Sequence, residues 1–118
     1  MEQILTNLFL LIAVHALTDF SALQGSEMVK WKSPLNKPKD SDIKRYQQFI
    51  PFWIHWMTAH SFINALGVYV VTRNIYLSLM EIIIHWIIDY SKCKGWIKLD
   101  TDQGLHLLSK LLYVRILI

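Results

Sequence analysis

Cysteine is all but missing from this 118-residue chain. Cys93 stands alone, so no internal disulfide is possible and thiol usage points to no compartment. Charge is thin as well: charged residues make up 18% and hydrophobic ones 53%, against about 25% and 45–50% in an ordinary soluble domain. Between Pro51 and Thr72 there is no Asp, Glu, Lys or Arg at all. A Gly-rich phosphate loop, H-E-x-x-H and G-x-S-x-G are all lacking, and Ser61 beside His60 has no evident third partner, so a nucleophilic serine finds little support. The first apolar stretch has no basic n-region and no A-x-A-like site after it, and is read as a permanent helix rather than a signal peptide.

What is present is one domain's length of apolar segments. Four helices are expected, over 4–24, 51–72, 75–91 and 101–118, with Gly25 closing the first and Pro51 suiting the first turn of the second. Asp100 and Gln103 are spaced like a capping box at the start of the fourth. A bilayer core takes about 20 residues of helix, with a range of about 17–25. The first two meet that length, and the last two sit at its lower edge, which leaves full spanning open for both. Phe62–Val71 and Ile82–Ile88 are apolar almost all round, whereas a soluble bundle would carry one apolar stripe and one charged face. The expected fold class is therefore all-α: a small polytopic membrane bundle of about four transmembrane helices.

The stretch 25–50 is polar, with Pro34, Pro38 and several lysines, and is expected to be a long cytoplasmic loop with a short interfacial helix over 40–49. Formal net charge is +3, and its distribution sets the orientation. Lys30, Lys32, Lys37, Lys39, Lys44, Arg45, Lys92, Lys94 and Lys98 lie on one side, against Arg73 and Arg115 on the other. By the positive-inside rule both long loops face the cytoplasm and both termini lie outside the membrane. Basic blocks in loops fit an anionic membrane surface rather than a nucleic-acid footprint. Trp31, Tyr46, Trp53, Trp56, Tyr90 and Trp96 gather at the same boundary, as an aromatic belt would.

Three spacings carry the chemistry: His15-x3-Asp19, His85-x3-Asp89 and Asp102-x3-His106. Residues four apart stack on one helix face, so each pair can bring an imidazole nitrogen and a carboxylate oxygen to one point. His60 and Asn64 form a further polar pair, and Glu81 extends the third-helix set by a turn. With the expected topology these groups fall at similar depth near the cytoplasmic leaflet. Ionisable residues at the centre of a membrane helix cost about 2.5–3.5 kcal/mol each on insertion scales, so they persist by facing one another, water or an ion.

Imidazole with carboxylate and no thiolate suits a divalent Zn, Mn, Fe or Ni ion, and a metal-bound water or a two-metal clamp would support hydrolysis. His15, Asp19, His60, His85, Asp89 and His106 are the ligand candidates. Asp89 and Asp102 are the catalytic candidates, Gln24, Gln103 and Asn64 orient, and Lys92 attracts an anionic headgroup. Plainer readings stand beside these. Asp100, Asp102 and Gln103 also fit a simple helix N-terminus, Asp19 and Gln24 a wet helix end, and any lone histidine a hydrogen-bonded packing residue.

The strings His15-Ala-Leu-Thr-Asp19-Phe-Ser-Ala-Leu-Gln24, Ala59-His60-Ser61, His85-Trp-Ile-Ile-Asp89-Tyr-Ser-Lys92 and Asp102-Gln103-Gly-Leu-His106 span nearly the whole chain. In that order they resemble a family of small bacterial and phage membrane proteins catalogued as a domain of unknown function. The resemblance implies a multi-helix membrane protein with a shared polar constellation and a phage origin, and no activity. More loosely, the His/Asp helices are similar to those of membrane-bound metal-dependent hydrolases, an analogy of fold alone. The competing functions are a non-enzymatic phage accessory protein (pore former, exclusion factor or partner of a host membrane complex) and a proton or cation pathway. The expected partners are the lipid bilayer, a second copy of the chain and a host membrane protein, with no nucleic acid.

Overall fold

The computed structural model describes residues 1–20, 26–36 and 52–117. The described chain is all-α. Helix α1 spans Glu2–Phe20, the short α2 Ser26–Trp31, α3 Phe52–Thr72, α4 Ile75–Cys93 and α5 Leu99–Leu117. The four long helices match the four expected segments, with shifted ends. Gln24 and the expected interfacial helix over 40–49 lie outside the described residues, whereas the six-residue α2 falls inside the stretch expected to be loop.

Only Arg73 and Asn74 separate α3 from α4, so these helices form an antiparallel hairpin. Arg73 takes a left-handed φ of 55° and its N–H donates to Tyr69 O at 2.8 Å, closing α3. Asn74 then opens α4: its side chain accepts from the N–H groups of Tyr76 and Leu77 at 2.9 and 3.2 Å, satisfying two of the donors that a helix start leaves unpaired. Helix α5 begins at Leu99, two residues earlier than expected. The capping box is not formed, because the Gln103 side chain turns inward to other partners.

The long helices pack in a ring: α1 on α3, α3 on α4, α4 on α5 and α5 on α1, with α2 laid against α3. Gly67 sets the approach of α1 to α3, since a Cβ there would overlap Val14 Cγ1. One turn away, Thr18 Oγ1 donates to Asn64 Oδ1 at 2.7 Å across the same interface. Ser78 Oγ donates to Ala65 O at 2.7 Å and ties α4 to α3.

The interior has two tiers. At the end that holds the start of α1 and the end of α5, Leu11, Val68, Leu77, Tyr113 and Val114 form an apolar plug. Toward the other end it is lined by buried His15, Asp19, His60, Glu81, His85, Asp89, Asp102, His106 and Lys110. The outer faces are the reverse. Phe9, Phe62, Leu66, Ile83 and Leu108 are each 56–69% exposed, while His60, His85, Asp89, Asp102 and His106 are 0% exposed. Among the described residues no helix is long and apolar enough to cross a membrane.

Candidate metal centre

Two helices present ladders of polar residues at four-residue spacing, and their antiparallel packing joins the rungs. Helix α4 carries Glu81, His85 and Asp89, and α5 carries Asp102, His106 and Lys110. Asp89 Oδ1 lies 3.3 Å from His106 Nε2, the rings of His85 and His106 stack at 4.2 Å, and Lys110 Nζ donates to Glu81 at 2.7 Å. Running the helices in opposite directions makes the first residue of one ladder meet the last of the other.

Helices α1 and α3 complete the centre. His60 Nε2 lies 2.9 Å from His85 Nε2, 3.0 Å from Asp19 Oδ1 and 3.0 Å from Asp89 Oδ2. His85 Nε2 lies 3.6 Å from Asp19 Oδ1 and 3.9 Å from Asp89 Oδ2. A tetrahedral ion bound at about 2.0–2.1 Å has ligand atoms about 3.3 Å apart, within the span of these edges. This buried His/Asp group could hold a metal ion, as could Asp19 with Asp102 and His106, and His15 with His85 and His106.

The proton on His85 follows from its neighbours. Glu81 accepts from Lys110 Nζ and from Tyr113 OH at 2.5 Å, and such a carboxylate receives the third approach, His85 Nδ1 at 3.2 Å, as a donor. Placing the proton on Nδ1 leaves a lone pair on Nε2 aimed at His60, Asp19 and Asp89. Metal-bound histidines are oriented in this way by a carboxylate on the far nitrogen.

Gln103 arranges the opposite side. Its Nε2 donates to Asp19 Oδ2 at 3.0 Å and to Asp102 Oδ2 at 2.9 Å, while its Oε1 lies 3.1 Å from His15 Nε2. Lys32, just after α2, places its ammonium against Asp89 Oδ2 and 3.4 Å from His60 Nε2. Lys92 reaches Asp89 Oδ1 and Asp102 Oδ2, both at 3.5 Å, and is the more exposed of the two lysines at 24% of its side chain. Four buried carboxylates (Asp19, Glu81, Asp89, Asp102) thus face Lys32, Lys92 and Lys110, and His106 Nε2 lies 3.3 Å from Asp89 and 3.5 Å from Asp102.

All six ligand candidates therefore converge, and Asp102 and Gln103 lie beside them. Asn64 is buried but binds Thr18 Oγ1 and His60 O rather than an imidazole, so it braces the α1–α3 interface. Lys92 pairs with the carboxylates at the rim. Lys32, Lys110 and Tyr113 were not singled out by the sequence reading. Lys110 had a signal, being one turn beyond His106 on the same face. Lys32 had none, since 57 positions separate it from Asp89. His55 is exposed and apart from the centre. Comparison with family models, curated proteins and solved structures found no match.

Proposed function

We propose that the protein is a membrane-embedded, divalent-metal-dependent hydrolase whose centre opens to the cytoplasmic leaflet and cleaves phosphoester headgroups. The observation that carries it is the convergence of His60 Nε2, His85 Nε2, Asp19 Oδ1 and Asp89 Oδ2, with edges of 2.9–3.9 Å inside a helical ring.

The membrane part rests on the inverted polarity. No described helix is apolar enough along its length to count as a span, but polar residues on all four long helices, among them Asp19, His60, His85, Asp89 and His106, are buried. Large apolar side chains such as Phe9, Phe62, Leu66, Ile83 and Leu108 face outward, with Glu2, Asp100 and Arg115 exposed near helix ends. Helices of 19–21 residues rise about 28–32 Å, close to a hydrocarbon core of about 30 Å. The apolar plug closes the outer end, and Lys32 and Lys92 stand at the inner one. Trp53, Trp86, Tyr90 and Trp96 pack together near that end, as aromatic residues do at a headgroup boundary.

The chemistry balances as a hydrolysis. Water attacks phosphorus, the P–O bond to the alcohol breaks with its electron pair, and the proton from water passes to the departing oxygen. A metal ion held by His60, His85, Asp19 and Asp89 would lower the pKa of the attacking water and offset charge on the phosphoryl oxygens. A bound divalent cation also draws an anionic ester.

The test is elemental analysis of detergent-purified protein together with phosphate release. Bound metal is expected, with release that stops on chelation and in His85→Ala. Activity on phosphatidate in mixed micelles but not on p-nitrophenyl phosphate would make the substrate a lipid headgroup, and the reverse a soluble ester. Absence of metal and of phosphate release sinks the proposal. A second reading has its own support, the continuous buried chain Lys110–Glu81–His85–His60–Asp89–Lys32. Such a chain suits a proton pathway, and metal-free, histidine-dependent proton flux in liposomes would favour it.

A further inference from the structure

We infer that the centre is dinuclear: Asp89 bridges two divalent cations, one held by His60, His85 and Asp19, the other by Asp102 and His106. The inference rests on the metal-site reading above and extends it.

The two oxygens of Asp89 face different imidazoles. Oδ2 lies 3.0 Å from His60 Nε2, and Oδ1 lies 3.3 Å from His106 Nε2. Each oxygen can therefore serve a different ion. The amide of Gln103 divides the other two aspartates in the same manner. By holding Oδ2 of both Asp19 and Asp102, it leaves Oδ1 of Asp19 to His60 and His85 and Oδ1 of Asp102 to His106, at 3.5 Å.

Asp102 supplies an independent indication. It is 0% exposed, and its Oδ1 makes no hydrogen bond among the described residues, with His106 Nε2 at 3.5 Å as its ion-pair neighbour. A buried carboxylate oxygen left so is costly unless something positive binds it. Ammonium groups already mark both places: Lys32 lies against Asp89 Oδ2 and His60, and Lys92 against Asp89 Oδ1 and Asp102. Two positions that each attract a lysine across one bridging carboxylate are two cation positions. Paired ions about 3.5–4 Å apart clamp the attacking and leaving oxygens of a phosphoryl group. An anionic phosphoester would offset the charge that two divalent cations bring.

Manganese decides the matter. Full-length protein in detergent is stripped with chelator, loaded with Mn(II) and analysed for metal content and by electron paramagnetic resonance. Two manganese ions per chain with an exchange-coupled spectrum are expected. Asp102→Asn should retain one ion and show an uncoupled six-line signal, and so should His85→Ala at the opposite position; the retained ion in each variant reports an intact fold. One ion per chain in the unaltered protein, or two in both variants, overturns the dinuclear centre. No bound manganese overturns the metal reading as a whole, a result distinct from one ion.

Discussion

Glu81 and His85 stand one helical turn apart, with the imidazole Nδ1 3.2 Å from a carboxylate oxygen that Lys110 also holds. This contact fixes which nitrogen of His85 faces the centre. Glu81→Gln is therefore expected to weaken metal binding by about 10–100-fold, the usual cost of losing such an orienting partner. Isothermal titration of Zn(II) into chelator-treated protein measures it. An unchanged affinity would mean that Glu81 serves packing alone.

Lys32 lies against Asp89 Oδ2 and His60 Nε2, atoms that a bound metal ion would need. Replacing it by methionine keeps the length of the side chain and removes the charge. Lys32→Met should tighten divalent-metal binding by roughly tenfold, or about 1.4 kcal/mol. Weaker binding in a folded variant would show instead that the ammonium supports the centre.

Ile83 lies on the outer face of α4 and is 62% exposed. On a water-facing helix, Ile83→Arg would be nearly silent. In a bilayer the same change costs about 2.5–3.5 kcal/mol near the middle of a helix. The expected outcome is loss of the protein from the membrane fraction, with Lys94→Arg at the exposed helix end as an unaffected control. Full retention and an unchanged melting temperature would count against the embedded arrangement.

Gly67 and Val14 meet where α1 crosses α3. Gly67→Ala inserts a methyl group into a filled space and should lower stability by about 1–3 kcal/mol. Adding Val14→Ala removes the atom that the new Cβ would strike, so the double variant should recover much of the loss. Thermal unfolding in detergent compares the three proteins. Equal destabilisation by the double variant would rule out this contact as the cause.

Helix positions and the one-turn pairing of His15 with Asp19, His85 with Asp89 and Asp102 with His106 follow from local rules, since side chains four residues apart share a face in any α-helix. The apolar length between turn residues is equally local, which is why all four long helices were foreseeable. Convergence of those faces was an inference from a common depth, and packing realised it. Other features had no local cause. Lys32 reaches Asp89 from a distant stretch, Lys110 closes on Glu81 only because α4 and α5 run antiparallel, and Gln103 became a clamp between two aspartates rather than a helix cap. Which oxygen of Asp89 meets which imidazole is likewise a property of four helices docked at once. A single chain segment carries its own periodicity, but the partner of a buried charge is chosen by whichever neighbour the fold brings within reach.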